Sequence, residues 1–214
     1  MALRKTVLVN GEIYHILNRS VSGISIFKGR RESERFLEAM KYYLQTDPPI
    51  KFSLYKLHKD KFPVNLSQRL VTIINFCIMP NHFHFTLRQE TDEGVKKFIQ
   101  KLTGSFAHYF AVKYQSRGHI FEGNFKAIRV ENEEQLIHLS RYIHLNPVSS
   151  CLVEKPENYL YSSYRIYLGQ EKSEIVDPSL VLNNFSSPGE YEEFVLARKD
   201  YQRWLEKIKH LTLE

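Results

Sequence analysis

Two β-strands and the turn between them are predicted by the segment Phe76-Cys-Ile-Met-Pro-Asn-His-Phe-His-Phe85. Its apolar first half reads as a buried strand, and Pro80 with Asn81 marks the turn. Alternate residues of a strand point to the same face, so His82 and His84 aim two imidazoles at one point while the phenylalanines face the core. This geometry suits a divalent metal at a sheet surface. A simple polar sheet face is the alternative interpretation of the pair alone.

A short helix is predicted about fifty residues later, over residues 132–146. Asn132 is a suitable N-cap, Gln135 follows three residues on, and Pro147 is expected to end the helix. At 100° per residue the helix has an apolar stripe beside a polar one. The polar stripe consists of Gln135, His138, Tyr142 and Asn146, and the apolar stripe consists of Leu136, Leu139 and Ile143.

Tyr142 and Asn146 therefore share one face, one turn apart. A tyrosine hydroxyl can act as a nucleophile, and an amide oxygen can complete a metal site with two histidines. The alternatives are a half-buried structural tyrosine and an asparagine that caps the helix before Pro147. Tyr109 and Tyr114 are rival nucleophiles on the preceding helix. Two imidazoles with one amide also suit zinc or other transition metals at least as well as magnesium.

Three landmarks stand in order along the chain: Pro80-Asn-His-Phe-His84, Gly118-His-Ile-Phe-Glu-Gly-Asn-Phe-Lys126 and Arg141-Tyr-Ile-His-Leu-Asn-Pro-Val148. Together they resemble the single-tyrosine (Y1) transposases of the IS200/IS605 type, and most of all the tyrosine transposases associated with repetitive extragenic palindromes (REP). The first resembles that family's HUH motif (histidine, hydrophobic residue, histidine), and the third its nucleophile helix. The likeness extends to residues 14–19, 26–27 and 161–169.

The resemblance implies a transposase that cuts and rejoins single-stranded DNA next to a hairpin. Tyr142 would be the nucleophile that forms a 5′-phosphotyrosine, and His82, His84 and Asn146 would hold Mg²⁺ or Mn²⁺. A homodimer is also implied. Relatives usually carry glycine where Ser20 stands and a basic residue where Asn124 stands. His138 is a candidate base for the phenol, since free tyrosine titrates only near about pH 10.

The composition agrees with a nucleic-acid partner. The net charge of the 214 residues is +6, which favours a polyanion. Two cysteines form no disulfide framework, and no run of about eighteen apolar residues or N-terminal signal segment is present, which predicts a soluble cytoplasmic protein. The candidate phosphate-binding residues are Arg19, Lys96, Lys97, Lys101, Arg117, His119, Lys126 and Arg129.

The predicted elements alternate as β-α-β-β-α-β-α, which favours an α+β, ferredoxin-like antiparallel sheet with helices packed on one face. The strands are expected at residues 12–19, 71–79, 82–88 and 125–130, with the hairpin of the second and third strands at the centre of the sheet. The helices are expected at 31–45, from 95 onward and at 132–146. Residues 1–150 would form the catalytic domain, with a basic insertion at about 50–70. Residues 151–214 would form a helical C-terminal extension, with helices at 159–168, 177–184 and 191–208.

Two other function classes remain open at this point. A domesticated relative could keep the fold and the basic face as a non-catalytic nucleic-acid-binding protein. A metal-dependent phosphoesterase could use water in place of tyrosine.

Overall fold

Four antiparallel strands form a sheet in the computed structural model, which describes residues 7–198. The strands are β1 Ile13–Arg19, β2 Val71–Met79, β3 His82–Gln89 and β4 Lys126–Arg129, in the order β2-β3-β1-β4. The helices are α1 Arg30–Tyr43, α2 Phe52–Tyr55, α3 Gly94–Tyr114, α4 Glu133–Ser149, α5 Tyr164–Tyr167, α6 Ser179–Leu182 and α7 Pro188–Leu196. The predicted α+β class and the order of the main elements are confirmed, and α2 lies within the predicted insertion.

One face of the sheet carries the aromatic core. Phe83 and Phe85 of β3 project from it, with ring centroids 5.4 and 6.5 Å from Phe36 of α1. Phe98 of α3 lies 6.1 Å from Phe85. Phe106, also on α3, packs edge-on against Phe36. Helices α1 and α3 therefore cover this face together, as the predicted single helical layer requires.

Helix α4 lies on the opposite face. Ile143 forms a small apolar cluster with Cys77 and Met79 of β2, and all three side chains are buried. The period of two along β2 and β3 directs these residues away from the aromatic core. The expectation that the helices share one face therefore holds for α1 and α3 but not for α4, because β3 presents a polar face that α4 covers.

The β2-β3 hairpin lies at one side of the sheet rather than at its centre. Strand β1 pairs with both β3 and β4, so β1 and β3 are the central strands. The outer edge of β2 meets the C-terminal segment at two isolated bridges, Ile73 with Val176 and Cys77 with Ser162. The expected central position of the hairpin was wrong, because the long-range pairing of β1 decides the strand order.

The segment 50–70 packs against α1. Phe52 is buried, and its ring lies 5.5 Å from that of Tyr42. The Tyr42 hydroxyl donates a hydrogen bond to the Ile50 carbonyl at 2.6 Å. Lys56 and Lys59 both form ion pairs with Glu38 of α1. Two of the basic residues in the insertion are thus engaged within the protein.

The helices after residue 150 are shorter than predicted. Helices α5 and α6 fall inside the predicted spans 159–168 and 177–184, and α7 begins at Pro188, with Ser187 as its N-cap. The part of the predicted helix 191–208 beyond residue 198 lies outside the described residues. Within residues 7–198, no helix combines the length and apolar character needed to cross a membrane. The boundary between a catalytic domain and an extension at residue 150 stays a prediction.

Helix α4 starts as predicted and ends later. The Asn132 side chain accepts a hydrogen bond from the Gln135 amide at 2.9 Å, which confirms the N-cap. Pro147 lies inside the helix, which runs to Ser149, so the predicted end at Pro147 was wrong. Proline removes one backbone donor, but the Ser150 amide still bonds to the Asn146 carbonyl at 3.0 Å, and this single loss near the end does not stop the helix.

A buried hydrogen-bond network joins α4 to the C-terminal segment. His144 is fully buried, with Nδ1 2.7 Å from the Tyr191 hydroxyl and Nε2 2.8 Å from the Ser163 hydroxyl. Tyr191 also donates to Ser140 at 3.1 Å. Burial lowers the pKa of His144 to about 3, so the ring is neutral at pH 7. The network therefore joins α4 both to α7 and, through Ser163, to the backbone of β2 at Phe76.

We predict that acid destabilises the protein through His144. Its folded pKa lies below the value of about 6.5 in the unfolded chain, so the stabilisation is complete above about pH 6.5 and falls as pH drops toward 3. This residue should lower the free energy of unfolding by about 1.4 kcal/mol per pH unit in that window. Urea unfolding at pH 6.5, 5.5 and 4.5 measures it. His144→Leu should flatten the slope, and the exposed control His108→Leu should not; equal slopes in all three proteins would contradict the assignment.

Gly94, at the start of α3, provides a test of the packing. A Cβ there would clash with the carbonyl oxygen of Leu70, whereas one at Gly104 in the same helix meets nothing within 4 Å. Gly94→Ala should destabilise by about 1–3 kcal/mol, as overpacking does. Gly104→Ala should stabilise by about 0.5–1 kcal/mol through helix propensity. Thermal unfolding compares them, and a neutral Gly94→Ala would contradict this packing.

Candidate active site

A cleft of about 680 Å³ opens at the end of β1, beside the turn between β2 and β3. Helix α4 forms its other wall. The residues that line it include Arg19, Asn81, His82, Glu122, Tyr142 and Asn146. The turn and the helix that the sequence singled out therefore meet at one concave site.

The two predicted histidines lie side by side on the α4 face of β3. The ring centroids of His82 and His84 are 4.9 Å apart. His84 is buried beneath α4, and the Tyr142 ring lies edge-on to it with centroids 5.6 Å apart. The structure thus brings together the histidine pair and the tyrosine, which are separated by almost sixty residues in the chain.

The hydrogen bonds of His82 define its tautomer. Its Nδ1 lies 2.6 Å from Oδ1 of Asn81. The Asn81 amide nitrogen donates to the Gly23 carbonyl at 3.2 Å, which fixes the oxygen toward the histidine. An amide oxygen only accepts, so Nδ1 of His82 carries a proton, and in the neutral ring the lone pair lies on Nε2. A metal-ligating histidine requires this arrangement.

His15 of β1 is a third histidine in the site, and sequence reasoning missed it as a functional residue. Its Nε2 lies 2.9 Å from Nδ1 of His84, and the two rings stack with centroids 5.2 Å apart. The Tyr142 ring is 6.4 Å away. The side chains of β1 alternate, so His15 lies on the same face as Arg19, and this spacing was the sequence feature that could have identified it as a site residue. The pairing of β1 with β3, which brings His15 to His84, could not be predicted from the sequence.

Burial keeps the inner histidines neutral. Desolvation lowers the pKa of His15 to about 4. The pKa of His84 lies well below its usual value, first because of burial and then because of the positive charges that His82, His15 and Arg19 can carry. Neutral imidazole is the form that binds a metal ion. At pH 7 the site therefore needs no deprotonation of these rings before a cation binds.

Asn146 lies within α4 and is only 6% exposed. Its amide nitrogen donates to the Tyr142 carbonyl at 3.3 Å, so Oδ1 is the atom that can face a cation in the cleft. The helix continues to Ser149, so Asn146 is not the C-cap residue. The capping alternative therefore does not apply.

The donor set fits a divalent cation with open coordination positions. Two imidazole nitrogens and one amide oxygen would supply three ligands, which leaves room for water or phosphate oxygens. Among residues 7–198, no group of three or more His, Cys, Asp or Glu side chains is placed to hold a metal. The candidate metal site accordingly depends on the amide of Asn146 as well as on the two histidines.

Three predicted DNA-binding residues lie near the cleft end of the molecule. Arg19 lines the cleft. Arg117 and His119 are exposed in the segment before β4, which is attached to the cleft rim where the Val21 amide bonds to the Ile120 carbonyl at 3.0 Å. Arg19 therefore faces the cleft itself, and Arg117 and His119 are exposed on a segment joined to its rim.

Lys126 is exposed and pairs with Leu17 of β1, which itself pairs with His84. Directly opposed residues of antiparallel strands share a face. The register therefore places Lys126 on the His84 face of the sheet. Arg129, three residues on, pairs with Glu12 at 2.7 Å.

The three lysines of α3 lie elsewhere. Lys96 forms an ion pair with Glu93 at 2.6 Å, and Lys97 donates to the Asp92 carbonyl at 3.0 Å. Lys101 lies on the same helix, which covers the aromatic face of the sheet. The structure does not bring these lysines to the cleft.

His138 and the rival tyrosines do not contribute to this cleft. His138 Nδ1 lies 2.7 Å from the Arg141 guanidinium, and its ring packs near Phe194 of α7. The hydroxyls of Tyr109 and Tyr114 both donate to Glu32 of α1, at 3.3 and 3.0 Å. These two tyrosines therefore stabilise the contact between α1 and α3.

Comparison with known proteins agrees with this geometry. Residues 49–146 match the family model described as transposase IS200-like. No curated protein matches the chain. A solved structure, described as the REP-associated tyrosine transposase bound to a REP hairpin, matches with a TM-score of 0.57 at 14% identity, covering 87% of this chain and 96% of that one. The chain has the fold of that transposase, and its segment 49–146, which contains the histidine pair and Tyr142, is similar to the IS200-like transposase family.

Proposed function

We propose that the protein cuts and rejoins single-stranded DNA beside a hairpin, with Tyr142 as the nucleophile. The phenolic oxygen, after losing its proton to water, attacks phosphorus, and the bond from phosphorus to the 3′-oxygen breaks. The 3′-oxygen takes up a proton, and the 5′-phosphate stays on the tyrosine as a phosphodiester. A second 3′-hydroxyl then loses its proton and attacks the phosphotyrosine; the bond from phosphorus to the tyrosine oxygen breaks, and that oxygen takes up a proton. The linkage energy is retained, so rejoining needs no nucleotide cofactor.

One observation carries the proposal: the Tyr142 ring lies 5.6 Å from that of His84 in a cleft that is also lined by His82 and Asn146. A reacting phosphate in this cleft could meet the phenol and the metal ligands at the same time, which lowers the barrier by positioning. Arg19 lines the same cleft and adds positive charge beside the phosphate.

In this proposal His82, His84 and Asn146 hold Mg²⁺ or Mn²⁺. The ion, when bound, supplies Lewis-acid polarisation of a non-bridging phosphate oxygen. The buried, neutral His84 provides a ligand that needs no deprotonation, and Asn81 holds the orientation of His82. The protein residues thus present a preformed set of donors to the cation.

The proposed DNA surface consists of Arg19, Arg117, His119 and Lys126. Hairpin DNA is the proposed partner because the structurally similar REP-associated transposase is described as bound to a REP hairpin. The lysines of α3 and Arg129 are not included, since three of the four are engaged internally and α3 covers the opposite face. The homodimer stays a prediction from the resemblance.

The tyrosine mechanism predicts a covalent adduct. Labelled single-stranded DNA with a hairpin, incubated with the protein and Mn²⁺, should give a protein–DNA species that survives denaturation. Tyr142→Phe should abolish both the adduct and cleavage, because it removes the attacking oxygen. Tyr109→Phe, at the rival tyrosine on α3, should retain both.

The same gel distinguishes the other function classes. Cleavage by Tyr142→Phe without an adduct would indicate water as the nucleophile and would refute the tyrosine mechanism. If the unmodified protein binds the DNA without cleaving it, and His82→Ala binds it equally well, the protein is a non-catalytic binding protein.

The metal site predicts ligand-dependent stability. Mn²⁺ at about 100 times its dissociation constant should stabilise the folded protein by about 2.7 kcal/mol, and EDTA should reverse the effect. His82→Ala should lose the stabilisation, and His108→Ala, a histidine on the exposed face of α3, should keep it. Differential scanning calorimetry measures both. A Mn²⁺-induced shift that persists in His82→Ala would contradict the assigned ligand.

A further inference from the structure

His15 touches His84 but has no role in the mechanism described above. The two rings stack 15° from parallel, and a hydrogen bond of 2.9 Å joins Nε2 of His15 to Nδ1 of His84. The contact is formed by the pairing of β1 with β3, where His15 lies opposite Thr86, the second residue after His84. Two strands of the central sheet therefore fix the distance between these nitrogens.

A hydrogen bond between two neutral imidazoles has two possible directions. Either His84 donates from Nδ1 and keeps its lone pair on Nε2, or His15 donates from Nε2 and the proton of His84 lies on Nε2. In the second case His84 has no lone pair to offer a metal at Nε2, and its Nδ1 is already occupied. Only the first direction allows His84 to be a ligand.

The other proposed histidine ligand, His82, has an unambiguous hydrogen-bond acceptor. Asn81 accepts the Nδ1 proton of His82 through its oxygen, and a ligand's second-shell acceptor commonly sets its tautomer in this way. Among residues 7–198, the hydrogen-bond partner in the same position for His84 is Nε2 of His15. The two ligands thus have equivalent support, one from an amide and one from an imidazole.

We propose that His15 is a positioning residue that accepts the Nδ1–H of His84 and thereby directs the Nε2 lone pair of His84 toward the metal. The proposal rests on the metal role of His84 in the proposed function. Because Nε2 of His15 is then the acceptor, the proton of its own neutral ring lies on Nδ1. If His15 were replaced by a ring that has no hydrogen-bond acceptor, His84 could adopt either tautomer and could rotate.

The first test needs no variant and no metal. Long-range ¹H–¹⁵N correlation spectra of the metal-free protein at pH 7.5 distinguish protonated from unprotonated ring nitrogens. We expect a protonated Nδ1 and an unprotonated Nε2 for His84, and the same pattern for His15. A protonated Nε2 on His84 would overturn the proposal.

The second test measures Mn²⁺ affinity by electron paramagnetic resonance, with circular dichroism to verify folding. His15→Phe should raise the dissociation constant about 10–100-fold, the range typical of second-shell losses. His15→Gln, which retains an acceptor, should stay within a few-fold of the unmodified protein, and His108→Phe should not differ from it. Unchanged affinity in His15→Phe, or a glutamine variant as weak as the phenylalanine one, would overturn the role of His15.

His84→Ala separates this inference from the proposed function. If His84→Ala loses Mn²⁺ affinity and His15→Phe keeps it, only the positioning role fails. If His84→Ala also keeps the affinity, the metal role of His84 fails and the positioning role fails with it. The adduct assay on Tyr142→Phe is independent of both outcomes.

Discussion

The contact of helix α4 with the face of β2 and β3 opposite the aromatic core determines the geometry of the candidate site. Ile143 packs on Cys77 and Met79, and this apolar contact sets Tyr142, the adjacent residue, over His84. The N-cap at Asn132 fixes where the helix starts, and the buried hydrogen bonds of His144 join the helix to Ser163 and Tyr191. A shift of one turn along α4 would move the phenol by about 5.4 Å and separate it from the histidines.

Strand β3 serves two purposes because its side chains alternate. Phe83 and Phe85 face the aromatic core under α1 and α3, and that burial stabilises the sheet. His82 and His84 face α4, beside the cleft. The site is therefore carried by a central strand of the sheet, and the cost of burying His84 is offset by its hydrogen bond to His15.

Local signals in the sequence predicted much of this arrangement. The histidine pair, the bounds of β2 and the N-cap at Asn132 follow from residue type and spacing, and the structure confirms them. Long-range features were not predictable in this way. The side position of the hairpin, the placement of α4 and the partnership of His15 all depend on which strands pair, and that is decided by tertiary packing. Pro147 was misjudged as a helix end because one missing hydrogen bond is tolerated near a terminus.

Anomalous diffraction from crystals grown with Mn²⁺ tests the central claim, that the tyrosine and the metal ligands share one phosphate-binding cleft. We predict a single strong peak in the cleft within bonding distance of Nε2 of His82, Nε2 of His84 and Oδ1 of Asn146, on the Tyr142 side of the sheet. A cation bound elsewhere with none in this cleft, or one bound to Nδ1 of His84 after displacement of His15, would contradict the account.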